Sequence, residues 1–183
     1  MKRFTWLIPV LLLFCVTAKA QDIPAWELAG GYSYLRANIN GSSFHLNGGG
    51  GSVTENLNSW FGGRFEFNAF RGNISVPSAT GTVIKSVSAQ TFTYGPVFSY
   101  RKFDRVTPYG HVQVGAIHAS QGYLGISASA FKFALAPGGG ADFKINQRAA
   151  VRVQADYLAT YFLNTTQDNV QFSAGLVIRL GKK

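Results

Sequence analysis

The segment from Ala149 to Leu180 limits what this chain can fold into more than any other. Up to Tyr161, one parity reads Val151, Val153, Ala155, Tyr157, Ala159 and Tyr161, while the other carries Arg152, Gln154 and Asp156. After a polar gap, Val170, Phe172, Ala174, Leu176, Ile178 and Leu180 alternate against Gln171, Ser173, Gly175 and Arg179. Alternation at period two makes strands with one apolar and one polar face. The architecture then turns on which face looks inward.

Six earlier runs share the pattern. The first, about Ala25 to Ala37, sets Trp26, Leu28, Tyr32 and Tyr34 against Glu27, Ala29, Gly31 and Ser33. The third, Trp60 to Phe70, sets Phe61, Phe65 and Phe67 against Arg64, Glu66 and Asn68. The fourth, Ala89 to Lys102, opposes Phe92, Tyr94, Phe98 and Tyr100 to Thr93, Gly95, Ser99 and Arg101. The fifth, Pro108 to Ala119, opposes Val112, Val114 and Ala116 to His111, Gln113 and Gly115. The sixth, Phe131 to Phe143, opposes Phe131, Phe133, Leu135 and Phe143 to Lys132, Ala134, Gly138, Gly140 and Asp142. The second, Gly49 to Leu57, is weaker. Either Glu55 points outward with Val53 and Leu57, or two apolar residues point inward, or a bulge near the glycines shifts the parity. The run Gly48-Gly-Gly-Gly51 reads as the start of a loop within one domain.

Connections between the runs alternate in length. Leu57 to Ser59, Phe103 to Thr107 and Ile145 to Arg148 are short and turn-rich. Asn38 to Gly48, Arg71 to Ser88, Ser120 to Ala130 and Leu163 to Asn169 are long and polar. An up-and-down barrel in an outer membrane has short periplasmic turns and long outer loops in this order. Aromatics concentrate near the run ends: Trp26, Trp60, Tyr100 and Phe143 at one rim, Tyr34, Phe70, Phe92, Phe131, Tyr161 and Phe172 at the other. Two such girdles suit the headgroup boundaries of a bilayer.

The N-terminus supplies the route out of the cytoplasm. Lys2 and Arg3 precede an apolar run from Trp6 to Val16, and Ala18-Lys-Ala20 forms a cleavage site before Gln21. Residues 1–20 therefore read as a cleaved secretory signal peptide, leaving residues 21–183 as one domain. The apolar run is too short to cross a bilayer as a helix. Cys15, the sole cysteine, lies inside it behind Phe14, where a lipoprotein needs a small residue. Neither a lipid anchor nor a disulfide is expected after cleavage. Losing Lys2, Arg3 and Lys19 takes the basic count from 17 to 14 against 8 acids, a net charge of +6.

A soluble lipocalin-type barrel is the main structural competitor: also exported and eight-stranded, but apolar inside. Its outer face would need charge on every strand. The polar parity here is instead rich in Gly, Ala, Ser, Thr, Asn and Gln, with balanced ions: Glu27, Glu66, Asp142 and Asp156 against Arg64, Arg101, Arg152 and Arg179. An eight-stranded barrel has an interior that side chains just fill, and buried ions there must find partners. The expected fold is all-β: an eight-stranded antiparallel transmembrane barrel, apolar outside, with those eight ions as a structural lumen network. Glu27 and Glu66 are the expected partners of Arg152, Asp156 and Arg179 across the barrel, and Arg152 with Asp156 also reads as a structural ion pair.

Several segments carry a resemblance in order and spacing: Gly31-Tyr-Ser-Tyr-Leu-Arg36, Tyr94-Gly-Pro-Val-Phe-Ser-Tyr-Arg101, Thr107-Pro-Tyr-Gly-His111, Gly138-Gly-Gly-Ala-Asp142, Val151-Arg-Val-Gln-Ala-Asp-Tyr157 and Asn169-Val-Gln-Phe-Ser-Ala-Gly-Leu-Val177. Together they resemble the OmpA-type, opacity/porin-like outer-membrane β-barrel domain across essentially the whole chain after residue 20. The resemblance implies a monomeric barrel, inserted by the outer-membrane assembly machinery. Two departures stand out. No peptidoglycan-binding domain is expected after the barrel, and the sequence ends Leu180-Gly-Lys-Lys183 in place of an aromatic residue.

Candidates for chemistry are few. His118-Ala-Ser120 is similar to the His-x-Ser pair of an outer-membrane lipid A deacylase built on a comparable barrel. Nucleophilic catalysis also needs a group to orient the base, and no acid occurs between Arg105 and Asp142. His118 and Ser120 thus remain weak catalytic candidates, and His118 otherwise reads as a strand-end histidine at the headgroup interface. His45, His111 and His118 lack metal-ligand spacing, and His111 reads as a hydrogen-bonded lumen residue. No cofactor is expected. The positive charge forms no basic stripe with stacking aromatics, so no nucleic-acid partner is expected. Arg36, Arg71, Lys85 and Lys132, in or near the outer loops, are expected to contact lipopolysaccharide phosphates. The favoured role is structural or surface-interacting, through envelope integrity, adhesion or loop-mediated binding. A narrow porin-like channel is the alternative, and a lipid A-modifying enzyme a further one.

Overall fold

The computed structural model describes residues 23–39, 42–78, 81–123, 126–162 and 165–182. The expected signal peptide, residues 1–20, lies outside them. Eight strands run in chain order: β1 (Trp26–Ile39), β2 (Ser42–Asn56), β3 (Phe61–Ser78), β4 (Gly81–Ser99), β5 (Val106–Tyr123), β6 (Ile126–Lys144), β7 (Ala149–Phe162) and β8 (Thr165–Leu180). Each pairs antiparallel with the next, and β8 returns to β1 from Trp26↔Leu180 to Arg36↔Val170, closing a barrel in sequence order. Closure leaves no unpaired strand edge.

The apolar parity faces out. Leu28, Tyr94, Val114, Phe133, Val153 and Leu176 are each 40% or more exposed, whereas Arg64, Glu66, Asp142 and Arg152 on the opposite parity are 6% exposed or less. An apolar wall around a polar interior is stable only if hydrocarbon surrounds it. The strands are 14 to 19 residues long, beyond the roughly 9–11 that a tilted strand needs to cross a bilayer. The surplus lies at the hairpin end. Expected loop segments such as Arg71 to Ser78 and Gly81 to Ser88 remain paired there, because the backbone ladder continues after the apolar alternation lapses. Alternation marks contact with lipid, not the limit of pairing.

At the opposite end, two turns share one device. Asn58 Oδ1 accepts from the backbone N–H of Trp60 (3.0 Å) and Phe61 (2.8 Å). Asn146 Oδ1 accepts from Arg148 and Ala149, both at 2.8 Å. Asparagine favours turns because its side chain satisfies local backbone donors in this way.

Three details differ from the sequence reading or settle it. The glycine run lies inside β2, paired on one side with β1 and on the other with β3, and does not start a loop. A Cβ on Gly50 would sit 1.9 Å from Asn68 Oδ1 and 2.5 Å from the Phe67 carbonyl oxygen, so bare backbone is required there. The β2 register is continuous, without a bulge, and puts Glu55 on the outward parity with Val53 and Leu57, opposite Trp26. Phe70 does not join the aromatic girdle: it shares the parity of Arg64 and Glu66, points inward and is 1% exposed.

Phe70 belongs to a layer that small polar residues were expected to fill. Leu35, Leu46, Phe70, Val87, Ala89, Ile117, Ala134, Ala136 and Leu158 form one buried apolar cluster inside the hairpin half of the barrel. They come from β1 through β7 and form an apolar plug across the lumen. Below it, toward the short turns, the interior is polar.

Candidate functional site: the lumen network and the outer rim

The polar half of the lumen holds connected ions. Glu27, the first inward residue of β1, is 2% exposed. Its Oε1 accepts from Arg101 Nη2 at 2.9 Å and its Oε2 from Arg152 Nη2 at 3.0 Å. Arg152 in β7 grips Asp142 in β6 with two parallel bonds, Nε to Oδ1 at 2.7 Å and Nη2 to Oδ2 at 2.8 Å. This side-on fork is the strongest geometry available to an arginine and a carboxylate. It follows from the register, which pairs Asp142 directly with Arg152.

A second group surrounds Gln154. Its Nε2 donates to Glu66 Oε2 at 3.0 Å and to Asp156 Oδ2 at 2.8 Å, and its Oε1 accepts from Tyr109 Oη at 2.8 Å and Arg64 Nη1 at 3.1 Å. Gln171 Nε2 also reaches Glu66, at 3.2 Å. Arg64 donates Nε to Thr54 Oγ1 at 2.9 Å, and no ion pair joins it to Glu66 among the described residues. Tyr109 links the two groups, with the guanidinium carbons of Arg64 and Arg152 lying 4.5 and 4.9 Å from its ring centroid. Cations this close to an aromatic ring gain from its quadrupole.

The structure brings Glu27, Arg101, Asp142 and Arg152 into one ion cluster. It sets Glu66 and Asp156 beside each other through shared amides. It does not pair Arg152 with Asp156: the register puts Arg152 against Asp142, and Asp156 instead meets His111 Nε2 at 2.9 Å, off the hydrogen-bond axis. His111 is buried in the lumen against Asp156 and, among the described residues, lacks the hydrogen bond expected of it, its ring stacked toward Tyr109. Arg179 forms no ion pair among the described residues, and its Nε and Nη2 are buried without an acceptor. Tyr109 and Thr54 are lumen residues the sequence reading did not single out. Their parity with His111 or Ser52 was the signal. A cavity of about 40 Å³ remains beside Ala29, Gly31, Ser52 and Arg152, room for little more than a water.

The weak catalytic pair does not assemble. His118 stacks on Phe131 with centroids 4.3 Å apart, while Ser120 Oγ bonds to Ser88 Oγ at 2.7 Å. On the outer rim, Arg36 and Arg71 are exposed on the outward parity, separated by His45 and Asn47 of β2 in the register. Tyr34 bonds to His45, and Arg36 Nη2 reaches Ser43 Oγ at 3.4 Å. Lys132 lies on the inward parity beside Ala134 and is half-buried. The side chains of Lys85 and Tyr161 fall outside those described.

Comparison with solved structures finds the same architecture. Neisserial surface protein A superposes with a TM-score of 0.72 at 11% identity, covering 85% of this chain and 97% of that one. OprG from Pseudomonas aeruginosa gives 0.61 at 12%, covering 88% and 98%. Ail, the attachment invasion locus protein of Yersinia pestis, in complex with the heparin analogue sucrose octasulfate, gives 0.59 at 21%, covering 85% and 99%. At these identities the likeness is one of fold. A comparison with curated proteins finds no match. The family model for the outer membrane protein beta-barrel domain matches residues 7–179. An apolar-out closed barrel and a match over nearly the whole sequence lead to one conclusion: this chain belongs to the outer membrane protein beta-barrel domain family, and its place is the outer membrane.

Proposed function

We propose that this protein is a sealed, monomeric outer-membrane barrel that works through its outer surface, supporting the envelope and presenting its long hairpins for adhesion or binding. One observation carries the reading: the lumen is filled twice over, by the ion network in its periplasmic half and by the apolar plug from Leu35 to Leu158 in its outer half. A solute crossing it would have to break buried ion pairs and then desolvate against leucine and phenylalanine. What can meet other molecules is the outer wall and the hairpins above it. Arg36 and Arg71, with His45 between their strands, lie on the outward parity beyond the apolar band, where lipopolysaccharide phosphates sit. Lys85, in the β3–β4 hairpin, belongs to the same cationic set, whereas Lys132 stands on the inward parity and leaves it.

Export by the cleaved signal peptide and insertion by the assembly machinery belong to the same reading. No cofactor takes part, and no nucleic acid. An enzymatic role is disfavoured because His118 and Ser120 make separate contacts. To test the reading, Arg36, Arg71 and Lys85 are replaced by glutamine and lipopolysaccharide binding of the refolded barrel is measured. Binding should weaken about tenfold or more, since charge-assisted bonds to phosphate are lost. Unchanged binding would reject the lipopolysaccharide assignment. Steady unitary conductance of the wild type in a planar bilayer would reject the sealed lumen and favour the narrow channel.

A further inference from the structure

The periplasmic mouth of the barrel has a feature that a plug does not need. Below the Glu27 cluster the lumen widens into a vestibule of about 820 Å³, within the range of small-molecule sites. Among the described residues its lining carries five cations, Arg101, Lys144, Arg148, Arg179 and Lys182, and one carboxylate, Asp104. Arg101 and Arg179 already count among the four inward arginines that balance the four inward acids, so the excess rests on Lys144, Arg148 and Lys182 against Asp104. The carboxylate nearest the floor is already engaged: Glu27 accepts from Arg101 on one oxygen and from Arg152 on the other.

The floor also has donors without acceptors. Arg101 Nε, Arg179 Nε and Arg179 Nη2 are buried and meet none. Nε and Nη2 are the edge with which Arg152 holds Asp142 in this same barrel. On Arg179 that edge is unanswered, and an unpaired buried charged donor is costly. A planar carboxylate has two oxygens and one charge. A phosphate monoester has three terminal oxygens and nearly two charges, which suits three unanswered donor nitrogens on two arginines and the cationic wall around them.

We propose that the periplasmic mouth is a binding site for a phosphate ester, held by Arg179 and Arg101 at its floor and by Lys144 and Arg148 at its rim. The phosphate belongs either to a soluble phosphorylated solute or to a lipid headgroup of the inner leaflet beside the mouth. This site is at the opposite end from the outer rim and does not depend on the lipopolysaccharide reading.

The test uses the full barrel refolded in an uncharged, phosphate-free maltoside micelle, read by the Nε–Hε resonances of Arg179 and Arg101. In one arm glycerol 3-phosphate is added, with chloride at matched ionic strength as control. In the other, the micelle is doped with phosphatidic acid, whose phosphate is likewise a monoester. Saturable shifts in the first arm identify a soluble ligand, and shifts in the second alone identify a lipid. No saturable shift in either arm, or shifts reproduced by chloride, would overturn the proposal. Arg179→Gln should abolish the response. The double variant Lys144→Gln/Arg148→Gln alters exposed residues outside the lumen network, so it tests the site even if Arg179→Gln does not fold. It should weaken binding about tenfold, and unchanged affinity would equally overturn the site.

Discussion

At the scale of single residues, the lumen is a set of charges that cannot tolerate losing a partner. Glu27 joins Arg101 to Arg152, and Arg152 also holds Asp142, all four inside the barrel. Replacing Glu27 with glutamine keeps the shape but removes the charge that answers two guanidinium groups. The loss should be about 3–5 kcal/mol, as for breaking one partner out of a buried ion pair, measured by urea unfolding of the barrel in lipid vesicles. Replacing Glu27, Asp142 and Arg152 together with apolar residues should cost less than the summed single changes, because no charge is then left alone. The identity of these residues was legible in the sequence, from parity alone. Their pairing was not. Whether Arg152 meets Asp142 or Asp156 depends on the β6–β7 register, in which Asp142 faces Arg152 and Gly138 faces Asp156. Gly138 makes room for that carboxylate: a Cβ on it would lie 2.0 Å from Asp156 Oδ1. An unpaired stretch of sequence does not state which partner sits across from it.

Strands and turns make a different demand. Each strand must offer hydrocarbon to lipid on one face and fit the crowded lumen on the other. Val114 in β5 is outward and lies between Tyr94 of β4 and Leu135 of β6, both also outward. Val114→Arg should cost about 2–4 kcal/mol if that position lies near the bilayer midplane, read from the same urea transition. A soluble barrel would accept arginine there with little loss. The turns give a smaller effect. Asn58→Ala and Asn146→Ala each remove a side-chain oxygen that accepts two backbone N–H groups. Each should cost about 1 kcal/mol, visible as a lower urea midpoint at unchanged slope. The membrane-crossing parts of the strands were legible because lipid enforces alternation. Their outer extensions were not, since the backbone pairing continues there after the apolar alternation has lapsed. The glycine run in β2 misled for a related reason. Glycine reads as loop unless the backbone of the neighbouring strand is known to lie within contact of it.

For the molecule as a whole, the order of layers separates the possible roles. From the periplasm outward come a cationic vestibule, a neutral ion network, an apolar plug and long paired hairpins. Membership of the outer-membrane barrel family fixes the envelope around these layers. It leaves the chemistry at the two ends to be read from this chain's own residues. The plug was the layer least legible beforehand. Leu35, Leu46, Phe70, Ile117 and Leu158 stand on the polar parity, and a reading that assigns every apolar side chain to lipid places them wrongly. Their burial at 5% or less makes the barrel both an outside and a core. Nuclear Overhauser contacts between methyl groups and lipid acyl chains, measured on the methyl-labelled barrel in a nanodisc, test this central claim most directly. Strong acyl-chain contacts are expected for Val112, Val114, Val151, Val153, Leu176 and Ile178, and none for Leu35, Leu46, Ile117 and Leu158. Acyl-chain contacts at the second group, or water contacts replacing lipid at the first, would contradict it.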